Sequence, residues 1–257
     1  MGYQNVFSRY ELKYLIPIEE KNNLLKVMEK YMNTDDFGKS TICNIYFDTP
    51  DKLLIRRSLE KPCYKEKLRI RSYGIASPES KVFIEIKKKY KGVVYKRRIN
   101  LEEKTATSYL VDHTPLINQN QISKEIDYLM QTYKDIEPSV FLSYEREAFY
   151  SKEDSNFRMT FDENLLMRDY DLSLNSGIYG DQILPKDMAI MELKTVLGIP
   201  KWLLDFLDEN KLYKTSFSKY GNAYLNLLLP KYLDYGQISK DKLLLRMEEE
   251  RGVTNVA

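Results

Sequence analysis

A chain of 257 residues, 43% hydrophobic and 30% charged, has material for a sizeable core and for a heavily ionic surface or cleft. Its 40 Lys and Arg against 38 Asp and Glu leave a net charge of only +2, which argues against a general nucleic-acid surface, where a strong basic excess is expected. Two cysteines, Cys43 and Cys63, are too few for a disulfide framework and read as free thiols of an intracellular protein.

In chain order, the first predicted element is a strand over 7–16. The opening MGYQNVFSRYELKY lacks the apolar core of a signal peptide. Pro17 then opens a helix over 18–32, with acids in its first turn and Leu24, Leu25 and Met28 on its apolar face. Strands follow over 41–49, 66–74, 81–90 and 93–101, the last two joined by a short hairpin turn at Lys91 and Gly92. Helices are predicted near 102–112 and over 121–134, with His113 read as a plain helix-end or loop histidine that cannot by itself supply a metal cluster. Strands return over 138–150, 157–168 and 188–196. A helix over 200–210 starts at a proline, and one over 219–229 stops at Pro230, where a helix loses a backbone donor. The tail from about 236 to 257 reads as a peripheral helix. No low-complexity linker, internal repeat or membrane-length apolar stretch divides the chain. The expectation is a single α+β domain over 1–257 and a cytoplasmic protein.

The strands carry an anomaly. Arg69 and Arg71 share one face of their strand, opposite Leu68 and Ile70. Glu85, Lys87 and Lys89 lie opposite Ile84 and Ile86. Arg158, Thr160 and Asp162 lie opposite Phe157, Met159 and Phe161, and Glu192 and Lys194 opposite Met191 and Leu193. Tyr144 and Arg146 share a face, as do Arg9, Glu11 and Lys13. A single such strand reads as the solvated side of a half-buried sheet. Six strands with a cation near the middle, most of them with an acid close by on the same face, fit better as the lining of a closed eight-stranded barrel whose apolar faces pack outward against helices. A lumen this basic repels itself unless interior acids such as Glu11, Glu85, Asp162 and Glu192 pair some cations and a polyanion neutralises the rest. Phosphate chains suit that role, since Arg offers forked contacts and Lys point charges.

At this point the sequence resembles the VTC domain, the catalytic module of polyphosphate polymerases in the triphosphate tunnel metalloenzyme (CYTH) superfamily. The motifs are R-x-E-x-K-Y at 9–14, I-Y-F-D-T at 45–49, L-R-I-R at 68–71, E-I-K at 85–87, K-R-R at 96–98, Y-x-R at 144–146, R-x-T-x-D at 158–162, E-L-K at 192–194 and S-x-S-K-Y at 216–220. Each is weak alone, and the ordered set is specific. The resemblance implies an eight-stranded antiparallel β-barrel with helices packed outside, and transfer of the γ-phosphoryl of ATP to a growing inorganic polyphosphate chain. It implies that Lys13, Arg69, Arg71, Lys87, Arg146, Arg158 and Lys219 form the phosphate-binding basic set, with Glu192 holding Mn²⁺ or Mg²⁺. Arg9, Lys89, Lys96, Arg98 and Lys194 are implied as further phosphate-binding cations. Tyr144 is placed either as support for the nucleotide and its phosphates or as a packed wall residue.

The sequence reads as a form without the N-terminal regulatory domain and membrane anchor of eukaryotic members. The resemblance therefore implies a stand-alone form, with a separately encoded membrane partner left open. Related tunnel hydrolases start with E-x-E-x-K, whereas the equivalent positions here are Arg9, Glu11 and Lys13, a loss of one carboxylate that favours the polymerase. A tunnel triphosphatase and a non-catalytic polyphosphate-binding module are the alternative readings.

Overall fold

Where apolar and charged residues alternate, the chain extends, because such a segment has one face to bury and one to keep polar. The computed structural model describes residues 10–234 apart from Gly92 and Ser155. Arg9, the predicted tail helix and the glycine of the 91–92 turn lie outside the described residues. Strand β1 (Tyr10–Pro17) leads into helix α1 (Ile18–Met28), a short β2 (Met32–Thr34), β3 (Ser40–Asp48) and α2 (Leu53–Leu59). Then come β4 (Tyr64–Tyr73), β5 (Lys81–Tyr90), β6 (Val93–Glu102), α3 (Glu103–Leu110) and α4 (Gln121–Thr132). The chain continues through β7 (Glu137–Ser151), β8 (Arg158–Arg168), the two-residue β9 (Asp181–Gln182), β10 (Met188–Thr195) and α5 (Lys201–Glu209). It closes with β11 (Lys214–Thr215), α6 (Lys219–Ala223), a π-helical turn (Tyr224–Leu228) and α7 (Leu229–Asp234).

All the pairings are antiparallel, in the order β11-β1-β10-β8-β7-β3-β4-β5-β6, with β2 added to β7 and β9 to β8. Six strand-to-strand steps separate β1 from β5, about 29 Å in a flat sheet. Yet Lys87 Nζ on β5 lies 3.7 Å from Glu11 Oε2 on β1. Two side chains cannot bridge the flat distance, so the sheet must curl until its charged face encloses a lumen.

The closed barrel expected from the sequence is not formed. Among the described residues the sheet keeps two edges, β6 and β11, and β11 matches β1 at only two positions. Backbone pairing gives way there to side chains. Lys13 Nζ donates to the carbonyl of Phe217 at 2.9 Å, and Lys67 Nζ to Ser218 Oγ at 3.1 Å.

Helices pack on the outside as expected. Helices α3 and α4 bring Ala106, Tyr109, Leu110, Ile126 and Leu129 onto Ile45, Leu68, Ile70, Ile84 and Ile86. Helices α1 and α5 bring Leu24, Met28, Leu203 and Phe206 onto Ile16, Met159, Phe161, Met191 and Leu193. Each fully buried aliphatic or aromatic side chain contributes about 1.5–3 kcal/mol. The buried Lys21 pins α1 by pairing with both Glu147 and Glu163.

The inner face is not charged throughout. At one end Val140, Leu142, Leu165, Met167 and Ile190 meet Tyr220, Ala223, Tyr224, Leu228 and Leu229, so the last helical segment stoppers the lumen. The change of character on β8 has a backbone cause. Asn164 adopts φ 49°, a left-handed conformation that Asn tolerates better than most residues. The resulting bulge puts Leu165 and Met167 on the same inward face as Asp162, an odd number of residues away.

Two predicted helices end differently. The first stops at Met28, and Met32–Thr34 pairs with β7 instead. The last does not stop at Pro230 but runs to Asp234. The missing proline N–H and the ring's clash with the preceding turn are absorbed by the π turn just before it, where Leu229 N reaches back to the carbonyl of Tyr224.

Asp48 joins these parts from a buried position. Its carboxylate accepts from the backbone N–H of Thr49 (2.9 Å), Leu54 (2.8 Å) and Ile55 (3.0 Å) and from the Tyr220 hydroxyl (2.8 Å). It thereby satisfies the first turn of α2 and ties α6 to β3. Asp48→Ala is expected to lower stability by about 2–4 kcal/mol, since it strands several buried donors at once; a urea unfolding midpoint close to that of the wild type would remove this role.

Candidate functional site

The charged lining is assembled from both halves of the curled sheet. On β4, Arg69 and Arg71 point inward with Lys67. Arg69 donates from Nε to Glu85 Oε2 at 2.8 Å and from Nη1 to the Tyr46 hydroxyl at 2.8 Å. Arg71 donates from Nε to Asn44 Oδ1 at 3.0 Å and lies 3.8 Å from the same Glu85 oxygen. The other Glu85 oxygen holds Lys96 of β6 at 2.7 Å. One carboxylate, only 2% exposed, thus gathers three cations from two neighbouring strands.

The opposite wall repeats the device. Arg146 of β7 grips Asp162 of β8 with both fork nitrogens, at 2.6 and 2.7 Å, and Lys219 of α6 joins the same carboxylate at 2.5 Å. Tyr144 lies beneath them, its ring 5.2 Å from the Arg146 guanidinium and 4.6 Å from the Lys219 ammonium. Its hydroxyl accepts a long bond from Arg71 at 3.4 Å. Glu192 of β10 pairs with Lys194 at 2.9 Å and lies 3.9 Å from Lys13 on β1, which is itself 3.7 Å from Glu11. Eight cations therefore share four carboxylates, so the wall keeps roughly half its positive charge for a ligand.

The neighbours set the ionisation of these groups. Burial alone would raise the Glu192 carboxyl, but Lys194, Lys13, Lys219 and Arg146 outweigh it and hold the group well below the usual carboxylate range. Burial likewise opposes ionisation of Glu85, and Arg69, Arg71 and Lys96 bring it down to about 2. Burial would lower the Lys219 ammonium, and Asp162 with Tyr144 raises it instead. Lys13 goes the other way: burial lowers it more than Glu192 and Glu11 raise it. Cations and acids are thus charged together near neutral pH at most positions.

The candidates do not all sit at equal depth. Arg69, Arg71, Arg146, Lys219, Lys13, Lys194, Glu192 and Tyr144 are brought together in the lumen. Lys87 and Lys96 sit nearer solvent, each held by a lumen acid. Arg158, Lys89 and Arg98 are exposed, and among the described residues none of them makes an ion pair; the Arg98 guanidinium stacks over Phe83 at 5.0 Å. Lys67, Tyr46 and Asn44 were not singled out from the sequence. Lys67 precedes Arg69 by two residues, so strict alternation along β4 carries its signal. Tyr46 and Asn44 lie within a run that reads as ordinary strand, and nothing short of the fold shows that they support Arg69 and Arg71.

Among the described residues no three His, Cys, Asp or Glu side chains are spaced to hold a metal by themselves. The donor set fits a hard cation that arrives with its substrate. Ionised Glu192 supplies oxygen, and Mg²⁺-type ions commonly take one or two carboxylates plus phosphate oxygens and water.

A curled antiparallel sheet with helices outside and cations sharing a few buried acids inside is a triphosphate tunnel fold. The sequence matches the VTC domain over residues 8–228, and the chain belongs to that family. Among solved structures, the chain is similar to a candidate adenylate cyclase from Bacillus halodurans, with a TM-score of 0.52 and 14% identity over 81% of this chain and 92% of that one. A candidate adenylyl cyclase from Hippeastrum, described as having a dominant triphosphatase activity, matches with a TM-score of 0.49 and 16% identity over 82% of this chain and 92% of that one. At 14% identity the first of these likenesses is one of fold. No curated protein sequence matches the chain.

The site generates a pH prediction. Burial drives the Lys67 ammonium down to about 8, against the pull of Tyr46. The Tyr46 phenol is raised by burial but brought down to about 8 by Arg69, Lys67 and Arg71. A bound polyphosphate favours the protonated form of both groups. Binding of tripolyphosphate is therefore expected to take up protons near pH 8 and to weaken as pH rises beyond it, by up to about tenfold per pH unit for one linked proton. Calorimetric titration in buffers of different ionisation heat reads this uptake; Lys67→Met should reduce it, and Lys67→Met with Tyr46→Phe should largely remove it.

Proposed function

We propose that this chain is a polyphosphate polymerase that transfers the γ-phosphoryl group of ATP to the end of an inorganic polyphosphate chain. The observation that carries the reading is the inward wall on which eight cations share four carboxylates. That excess suits a ligand with many closely spaced negative charges and no fixed side groups. Among the described residues the lumen presents no Cys or His: Cys43 is buried on the outer side among Ile45, Leu68 and Ile70, and Cys63 is exposed. Phosphoryl transfer to an already ionised phosphate oxygen requires neither a protein nucleophile nor a strong base, only alignment and charge stabilisation.

In this reading the triphosphate lies between the Arg69, Arg71, Lys87 and Lys96 wall and the Arg146, Lys219, Lys13 and Lys194 wall. Arg forks bind oxygens on one phosphate, and Lys ammoniums follow the chain as point charges. Tyr46 and Tyr144 keep the guanidinium planes of Arg69 and Arg146 in place. Arg158, Arg98, Lys89 and, on the resemblance, Arg9 provide outlying charge that draws polyanions inward. Glu192 would hold the divalent ion, Mn²⁺ or Mg²⁺, which when bound neutralises phosphate charge beside the reacting group. The terminal oxygen of the acceptor chain forms a bond to the γ-phosphorus, the bond from that phosphorus to the bridging β-oxygen breaks, and ADP leaves with the electron pair.

The test is to incubate the purified protein with ATP and Mn²⁺, resolve the products on a gel stained for polyphosphate, and assay free phosphate in parallel. Long chains with ADP are expected. Free phosphate without chains would assign a tunnel triphosphatase, and chain binding without turnover a binding module. Arg69→Ala and Arg146→Ala are each expected to cut turnover about 10²–10³-fold, the usual scale for losing a preorganised charge contact, while the fold survives. Glu192→Gln should abolish metal-dependent turnover; an unchanged metal dependence would take Glu192 out of the site.

A further inference from the structure

Beside the tunnel lies a surface that the proposed reaction uses only at Lys89. Where β4 begins and β5 turns into β6, Tyr64, Tyr90 and Val93 stand in register across three neighbouring strands. Val94 and Tyr95 follow, and all five are 44–50% exposed. Tyr128 of α4, 69% exposed, is close enough to Tyr64 to influence its phenol. Aromatic and aliphatic side chains at this density on a sheet end are costly in water unless something covers them.

The charge around them is predominantly positive. Lys61, Lys65, Lys89 and Lys91 surround the strand ends, and Lys65 feels Lys61, Lys87 and Lys89 as neighbours. Glu60 stands beside Lys61, and two further acids have partners of their own. Glu66 accepts from Tyr64 and Tyr133, and Glu125 faces Lys88 and Arg97. Lys91 extends over the Tyr90 ring at 5.5 Å, and its backbone N–H is tied to the carbonyl of Cys63 at 2.9 Å, so the hairpin end and the start of β4 form one unit.

We propose that this hairpin end docks on an anionic lipid bilayer. Tyrosines favour the headgroup level, with the ring toward the acyl region and the hydroxyl toward water. Val93 on the face of Tyr64 and Tyr90, and Val94 on the opposite face beside Lys89, put an aliphatic group on each side of the hairpin end, and lysines extend their ammoniums to lipid phosphates. A nucleic-acid strand, whose bases would stack on the tyrosines but find no partner in Val93 and Val94, is the competing occupant. A second copy of the chain would set lysine against lysine.

Cosedimentation of the whole protein with vesicles tests this. Binding is expected to vesicles of equal parts phosphatidylglycerol and phosphatidylcholine, not to phosphatidylcholine alone, and to weaken with salt. The measurement is made with the tunnel saturated by tripolyphosphate, so that lumen cations cannot answer for the lipid. Lys61→Glu with Lys91→Glu should reduce vesicle affinity at least tenfold, and Val93→Ser with Val94→Ser severalfold. Both variants should keep wild-type tripolyphosphate affinity, which reports an intact fold. The proposal is overturned if saturated protein ignores anionic vesicles, if neither variant changes binding, or if a single-stranded oligonucleotide displaces the protein from lipid. Because tunnel binding serves only as a control, the result is independent of whether the enzyme makes polyphosphate.

Discussion

Everything in the lumen depends on carboxylates that hold more than one cation each. Asp162 is taken by Arg146 and Lys219, Glu85 by Arg69 and Lys96 with Arg71 behind, Glu192 by Lys194 and Lys13. Removing a charge from water costs several kcal/mol unless it is paired, so a wholly basic wall would not stay folded. A one-to-one pairing would fold well and bind nothing. Two or three cations to one acid lies between these limits. Each guanidinium keeps a fixed direction, and the excess charge remains available. Asp162 and Glu85 therefore act as orienting groups, and the geometry of the basic wall exists before any ligand enters.

The rest of the molecule keeps these acids where they are. Helices on the outer face give the sheet its apolar partner, which frees the inner face to be polar. Curling brings β5 within reach of β1 although no hydrogen-bonded ladder joins them. The segment from Thr215 to Lys219 does the joining instead, through Lys13 and Lys67. Asp48 and Tyr220 then connect that segment to β3 and α2. A buried cation outside the lumen shows the contrast. Arg168 is fully buried between Phe141 and Tyr179 and donates to the carbonyls of Asp171, Ser173, Gly177 and Tyr179. Its charge is spent entirely on holding a loop.

Much of this was legible in the sequence because period-two alternation survives without tertiary help. All eight long strands and the sharing of a face by Arg69 with Arg71, Glu85 with Lys87, and Glu192 with Lys194 followed from it. Closure did not follow, since hydrogen bonding between the first and last strands leaves no mark on alternation. The helix passing through Pro230 was hidden because a π turn has no simple residue signature. Lys67 was legible but passed over; Tyr46 and Asn44 were not, because their role rests on neighbours that only the curled sheet supplies. The motif I-Y-F-D-T carried the family resemblance, while its aspartate serves the architecture.

The left-handed Asn164 has a consequence for length. On one side of it β8 points Arg158, Thr160 and Asp162 inward, and on the other Leu165 and Met167. The boundary between wet and dry lumen on this strand is therefore drawn by one backbone kink and not by a gradient of side chains. A residue inserted on either side of it would turn one stretch of the wall inside out. Under the proposed function the bulge works as a depth gauge: it fixes how far a charged chain would slide before it meets hydrocarbon.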